Sequence, residues 1–180
     1  VFVLVITAIL LLNDTLGPSS LYYNVLVQDY FTIIAKVLVV IASAFSIIMS
    51  LEYIREERIN AFEYLTLMLL SVLGMLLLIS SYNLISMYLA IELQSLCLYV
   101  LAAFKKRSAF STEAGLKYFI LGALSSGILL FGSSLIYGLT GTTSLEEISQ
   151  MCTNLHNLGD IQYNGLLIGL CFISAGTLFK

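Results

Sequence analysis

The chain has 180 residues, of which 59% are hydrophobic and 11% charged, with a single proline and a formal net charge of −3. Soluble domains average about 25% charged residues, so too few polar groups are present to cover a water-exposed surface. The apolar content, three cysteines and eight Lys and Arg exclude disorder, a disulfide-stapled scaffold and nucleic-acid binding. What remains is an all-α, polytopic transmembrane helix bundle, read as one integral membrane domain over residues 1–180. Its chemistry has to reside in the few ionisable groups left inside the spans.

A bilayer core takes about 20 apolar residues as a helix. Val1–Leu12 is too short to cross and ends at Asn13-Asp14, with Gly17-Pro18 just beyond. With no initiator Met, it reads as the tail of a helix cut at its start. Tyr30–Ser50, Ala61–Ser80, Leu84–Ala103 and Glu113–Leu139 are predicted as complete spans, the second and third joined by a tight turn at Ser81-Tyr82-Asn83. Between the first two, Glu52–Arg58 mixes signs and reads as a solvated or subunit-facing loop. Ser144 and Glu147 have capping-box spacing, and Leu145, Ile148, Cys152 and Leu155 recur with helical period. They predict an amphipathic helix over about 145–156, lying on the outer surface. His156 and Cys152 are two donors four residues apart, short of a metal site, and no metal is expected. Cys97 and Cys171 fall in spans, where a free thiol acts as apolar filler. Residues 163–180 form a further partial span, closing on Lys180.

The connections are asymmetric. Segments 51–61 and 104–112 carry Arg55, Arg58, Lys105, Lys106 and Arg107, whereas 13–29, 81–83 and 140–162 carry no Lys or Arg. By the positive-inside rule the basic side faces the cytoplasm or a mitochondrial matrix.

Glu92 stands eight residues from one end of its span and eleven from the other, about 12 and 17 Å at 1.5 Å per residue. A charge near the midplane costs at least about 2.5–3.5 kcal/mol, so such a group marks function or is held as neutral packing glue. Tyr88, Ser95 and Tyr99 fall on its face and form a polar stripe about 16 Å long, able to hold water and relay protons. Lys117 follows Glu113 at the i,i+4 spacing and shares a face with Leu121, Leu124, Ile128 and Leu135, opposite Gly115, Gly122, Ser126 and Ser133. It reads either as a snorkelling interface lysine or as part of a polar path. At about 10 Å of depth from Glu92, it would need an intervening water to reach it. The small-residue face marks a close helix approach. Lys36, near its span's end, reads as snorkelling. Lys180 lies about 25 Å along its helix, with Gly169, Ile173 and Gly176 on its face. Phosphate-binding loops, Ser-His-Asp sets and haem or iron–sulfur ligand patterns are absent from the sequence.

Ile91-Glu-Leu-Gln-Ser-Leu-Cys97, the run Ser111-Thr-Glu-Ala-Gly-Leu-Lys-Tyr-Phe119 and the glycine-spaced stretch Gly122–Gly132 resemble the antiporter-like membrane subunits of respiratory complex I. The resemblance is strong from about Ala61 to Lys180. It implies the N-terminal part of the antiporter-like inverted-repeat fold and a proton-pumping role coupled to electron transfer from NADH to ubiquinone. Carried over, Glu92 is the midplane glutamate, Lys180 the broken-helix lysine and Lys117 the lysine between them. Tyr88, Ser95 and Tyr99 remain a candidate hydroxyl relay. The resemblance implies no cofactor on this chain, with NADH, FMN, iron–sulfur clusters and ubiquinone in other subunits of the complex. The expected partners are other membrane-arm subunits, lipids and a separate chain carrying the missing C-terminal half. The expected location is the mitochondrial inner membrane, with segments 51–61 and 104–112 on the matrix side. The family's first helix, proline-bearing break and second half are missing, so a fragment or a split-gene product is expected. A multi-subunit sodium–proton antiporter subunit and a non-pumping scaffold are the alternatives.

Overall fold

The computed structural model describes residues 2–13, 19–21, 25–57, 60–105, 108–153 and 160–180. Helix α1 (Phe2–Asn13) precedes two three-residue antiparallel strands, β1 (Ser19–Leu21) and β2 (Leu26–Gln28), paired with Ser19 opposite Gln28. There follow α2 (Tyr30–Glu56), α3 (Ala61–Ser80), α4 (Leu84–Ala102), α5 (Ala109–Thr140), the short α6 (Leu145–Thr153) and α7 (Asp160–Phe179). Helices α2 to α5 are long and apolar enough to cross a bilayer, while α1 and α7 carry shorter apolar runs. The expected all-α bundle is therefore present. Asp14, Gly17, Pro18, Arg58, Lys106, Arg107, Leu155 and His156 lie outside the described residues.

Three boundaries depart from the sequence expectation. Segment 13–29 contains the β1–β2 pair, because strands of three residues are too short for a period-two pattern to register. Helix α2 continues through Glu52, Arg55 and Glu56, which were expected in a loop. Apolarity ends a span but not a helix, and Glu and Arg are good helix formers. The extension is also packed, since Ile54 is buried and Tyr53 meets the Tyr64 ring at 6.5 Å. Helix α5 starts at Ala109 rather than Glu113, because the Ser108 hydroxyl accepts the Ser111 backbone N–H. It ends where Gly141 takes a left-handed φ of 72° and donates its N–H to the Tyr137 carbonyl.

The loops gather at two ends. At the basic end, Lys105 donates to the Glu57 carboxylate and ties the α4–α5 connection to the end of α2. That hydrogen bond, with the attraction of the carboxylate, lifts the Lys105 ammonium above the usual lysine range. At the other end, Tyr82 N–H donates to the Val25 carbonyl (3.0 Å), Leu84 N–H to Thr143 (2.9 Å) and Leu145 N–H to Tyr82 (3.2 Å). Three outer segments are thus joined through backbone bonds. Helix α5, packed between α4 and α7, is the most buried of the spans, with 39% of its apolar window buried against 17–28% for the others. Phe31, Phe45, Phe110 and Phe131 point outward, as an apolar solvent requires.

Helices α5 and α7 meet through small residues. A methyl group at Gly132 would fall 2.8 Å from the Gly169 carbonyl oxygen, and one at Gly176 would fall 2.8 Å from the Leu129 nitrogen. Ser125 Oγ donates to the Gly176 carbonyl at 2.9 Å across this seam. Backbone approach this close gains van der Waals contact that a lipid-filled gap would forfeit.

Candidate functional site

The α5–α7 seam sets the position of Lys180. Gly169 and Gly176 are buried against α5, and Lys180, four residues past Gly176, points from the same side of α7. Glu92 sits midway along α4, whose neighbour α5 presents its small-residue face, with Gly122, Ser126 and Ser133 all buried. The three elements converge. Lys180 Nζ donates to Glu92 Oε2 at 2.6 Å and to Ser126 Oγ at 2.7 Å. Side-chain exposure is 9% for Lys180 and 24% for Glu92, so the pair is largely removed from solvent. Ser126 Oγ lies 2.8 Å from Glu92 Oε2 and 3.0 Å from the Gly122 carbonyl. A hydroxyl has one hydrogen, so Ser126 donates to only one of these at a time while accepting from the ammonium. The cluster brings a carboxylate, an ammonium and a reorientable hydroxyl into mutual contact, the parts needed to hold and pass a proton.

The remaining sequence candidates are distributed around this cluster. Ser95 is buried, and its Oγ donates to the Ile91 carbonyl at 2.6 Å. Tyr99 is buried on the basic side, its ring edge-on to Tyr118 at 4.8 Å and to Phe119 at 5.8 Å. Tyr88, on the outer side, lines a cavity of about 360 Å³ with Ser133, Ser134, Tyr137 and Thr143. The stripe shares a face, as the helical spacing predicts, but its hydroxyls do not form one continuous hydrogen-bonded chain.

Lys117 is not drawn into the cluster. It projects from the exposed side of α5 and pairs with Glu113 at 2.6 Å, with 69% of its side chain exposed. Gly115 packs on Ala103 and Ser126 meets Glu92, a register that sets Lys117 opposite Leu101. Nine residues then separate its level from Glu92, about 13 Å. Lys36 lines an outer-end cavity of about 400 Å³ with Gln28, Leu76 and Ser80. Ser126 is the member that sequence reasoning left out, having placed it only among small packing residues. The antiparallel register of α4 and α5 was the signal that could have found it.

A multi-pass helical membrane protein with a buried carboxylate–ammonium pair across three helices is the class that this fold and site define. Residues 81–180 match the family model described as NADH:quinone oxidoreductase/Mrp antiporter, TM, and the chain belongs to that family. It is 50% identical over 179 residues to NADH-ubiquinone oxidoreductase chain 2 of Marchantia polymorpha, covering 99% of this chain and 37% of that protein. It is 45% identical over 180 residues to NADH-quinone oxidoreductase subunit N of Paramagnetospirillum magneticum, covering 99% of this chain and 37% of that one. The chain thus spans about a third of the length of the curated relatives it matches. Among solved structures, it superposes on a chain of respiratory complex I from Thermus thermophilus with bound aureothin, with a TM-score of 0.72 and 28% identity. That match covers 96% of this chain and 35% of the other.

Proposed function

We propose that the chain is part of a membrane-arm subunit of respiratory NADH:quinone oxidoreductase and takes part there in moving protons across the membrane. The observation that carries this reading is the Glu92–Ser126–Lys180 contact, a charge pair held inside an apolar bundle. In contact the two charges neutralise one another. If a change elsewhere in the assembly draws Lys180 away, each charge is stranded in a medium that solvates it poorly. Proton exchange with Glu92 relieves that cost, which couples a mechanical displacement to proton movement.

The oxidation of NADH belongs to other subunits in this reading. This chain binds no redox cofactor, and NADH, FMN, iron–sulfur clusters and ubiquinone are held elsewhere in the complex. Its partners are the neighbouring membrane-arm subunits and lipids. The location that fits the plant mitochondrial relatives is the inner membrane, with Arg55 and Lys105 at the matrix end. Lys117, exposed beside Glu113, remains a candidate in the wider path, reached through water or a neighbouring subunit rather than by direct contact with Glu92.

Glu92→Gln, measured in the assembled complex in sealed vesicles, is expected to abolish or sharply reduce protons moved per NADH oxidised. Normal stoichiometry would overturn the reading. The family description also covers antiporters. A sodium-dependent pH gradient formed without any electron donor would favour that second reading.

A further inference from the structure

Two buried side-chain oxygens among the described residues have no hydrogen-bond partner, Ser80 Oγ and Tyr99 Oη. Ser80 ends α3 at the outer face, beside Lys36. Tyr99 lies between the basic end of the bundle and the Glu92 cluster. Its ring is held by Tyr118 and Phe119, and its hydroxyl fills the notch left by the missing side chain of Gly122, where a Cβ would overlap it. The Gly122 carbonyl is one of the two acceptors within reach of Ser126 Oγ, so the tyrosine abuts the residue to which the cluster's own hydroxyl is tied. Ser95, one turn toward Glu92, gives its own hydrogen to the Ile91 carbonyl at 2.6 Å.

A buried hydroxyl without a partner destabilises a fold relative to phenylalanine of the same shape, so stability does not account for this group. Its place does. On the basic side of the cluster, a cavity of about 650 Å³ lined by Ala103, Phe104, Gly115 and Phe119 reaches Tyr99. The Tyr99 ring, edge-on to Tyr118 and Phe119, plugs the α4–α5 seam beyond it. Tyr99 Oη is the polar atom of that plug turned inward, toward Gly122.

We infer that Tyr99 is a gated proton-relay residue for Glu92, an inference that rests on the function proposed above. Seated against Gly122, it closes the seam between the basic end and the cluster. Swung out of the notch, its oxygen accepts a proton from a hydronium ion on the basic side, which leaves as water, while the phenol's own hydrogen passes to Ser126 Oγ and the serine's hydrogen passes to Glu92. The phenol is neutral before and after, and the proton ends on Glu92. Gly122 is required because any larger side chain would keep the hydroxyl from seating.

The test uses the intact complex in sealed vesicles with three variants. Tyr99→Phe is expected to keep or raise thermal stability yet slow proton pumping about tenfold, the rate equivalent of one lost hydrogen bond. Its solvent deuterium isotope effect is expected to rise as proton transfer becomes limiting. Gly122→Ala, which displaces the hydroxyl without removing it, is expected to raise passive proton leak in the absence of NADH. Wild-type pumping and isotope effect in Tyr99→Phe would overturn the inference. A rate loss matched by lower thermal stability would also overturn it. Glu92→Gln separates the two levels of the argument. If it abolishes pumping while Tyr99→Phe pumps normally, the Glu92 site stands and the role of Tyr99 fails. If Glu92→Gln itself pumps normally, the underlying reading fails whatever Tyr99 does.

Discussion

With Lys180 replaced by methionine, the Glu92 carboxyl group, charged or protonated, would lie in an apolar bundle with only the Ser126 hydroxyl beside it. Removing one partner of a buried pair is worse than removing both, because the survivor's desolvation is left uncompensated. Lys180→Met is therefore expected to destabilise the bundle by about 3–5 kcal/mol. The double variant Glu92→Gln, Lys180→Met is expected to recover most of that loss while remaining inactive in pumping. Thermal unfolding of the purified complex measures the first quantity, and equal defects in the single and double variants would show that the pair is not energetically coupled. Both members of the pair were legible in the sequence, for different reasons. Glu92 stood out by depth within its span, since a charge eight residues from one end and eleven from the other has no loop to reach. Lys180 needed the resemblance to known subunits, because rise along its own helix says nothing of its depth. Ser126 was not legible as a functional group, because what distinguishes it from Ser125, which bonds Gly176, is one step of rotation on α5. That rotation is fixed only once α4 and α7 are both in place.

Helix α7 can place Lys180 only if it lies close against α5, so the glycine seam determines the site's geometry. The five glycines of α5 separate into two kinds. Gly115, Gly122 and Gly132 leave no room for a methyl group, whereas at Gly127 and Gly138 a Cβ would meet nothing within 4 Å. Gly132→Ala is expected to push α7 outward and cost about 1–3 kcal/mol, the range for forced overpacking. Gly127→Ala and Gly138→Ala are expected to be neutral or to stabilise by up to about 1 kcal/mol, through helix propensity alone. Unfolding temperatures of the three variants test this directly, and equal effects at all three positions would remove the seam from the argument. Small residues on one face, Gly115, Gly122, Ser126 and Ser133, had predicted a close helix approach on α5, and α4 supplies it at Gly115 and Gly122. The seam with α7 runs through Ser125 and Gly132 on the adjoining face, which that pattern did not include. Helices α3 and α4 run over 61–80 and 84–102, beside sequence expectations of 61–80 and 84–103. The ends of α2 and α5 were missed because capping by Ser108 and the helix-forming charges of Glu52–Glu56 lie outside any apolar count.

Across the whole molecule, the 11% of residues that are charged are sorted by position as well as rationed. Glu57 and Lys105 meet across the ends of α2 and α4, which shows that segments 51–61 and 104–112 share one face of the bundle. The backbone bonds joining Tyr82 to Val25, Leu84 to Thr143 and Leu145 to Tyr82 gather the segments without Lys or Arg on the other face. Positive charge next to a membrane helix is retained on the side of synthesis, so the charge count predicts one insertion direction. In that direction the closed Tyr99 seam faces the basic compartment, and the hydroxyl-lined cavity at Tyr88 faces the opposite one. Single cysteines at Arg55 and Glu147, both exposed, would report this with a membrane-impermeant maleimide. R55C is expected to label only when the matrix face, or the bacterial cytoplasmic face in a homologous host, is accessible. E147C is expected to label only from the other side. Labelling of both from one side would contradict the bundle's two-ended arrangement, and the reverse pattern would invert the insertion. An inverted result would also turn the Tyr99 barrier toward the compartment of proton release, so the sidedness experiment fixes which half of the proton's route that residue controls.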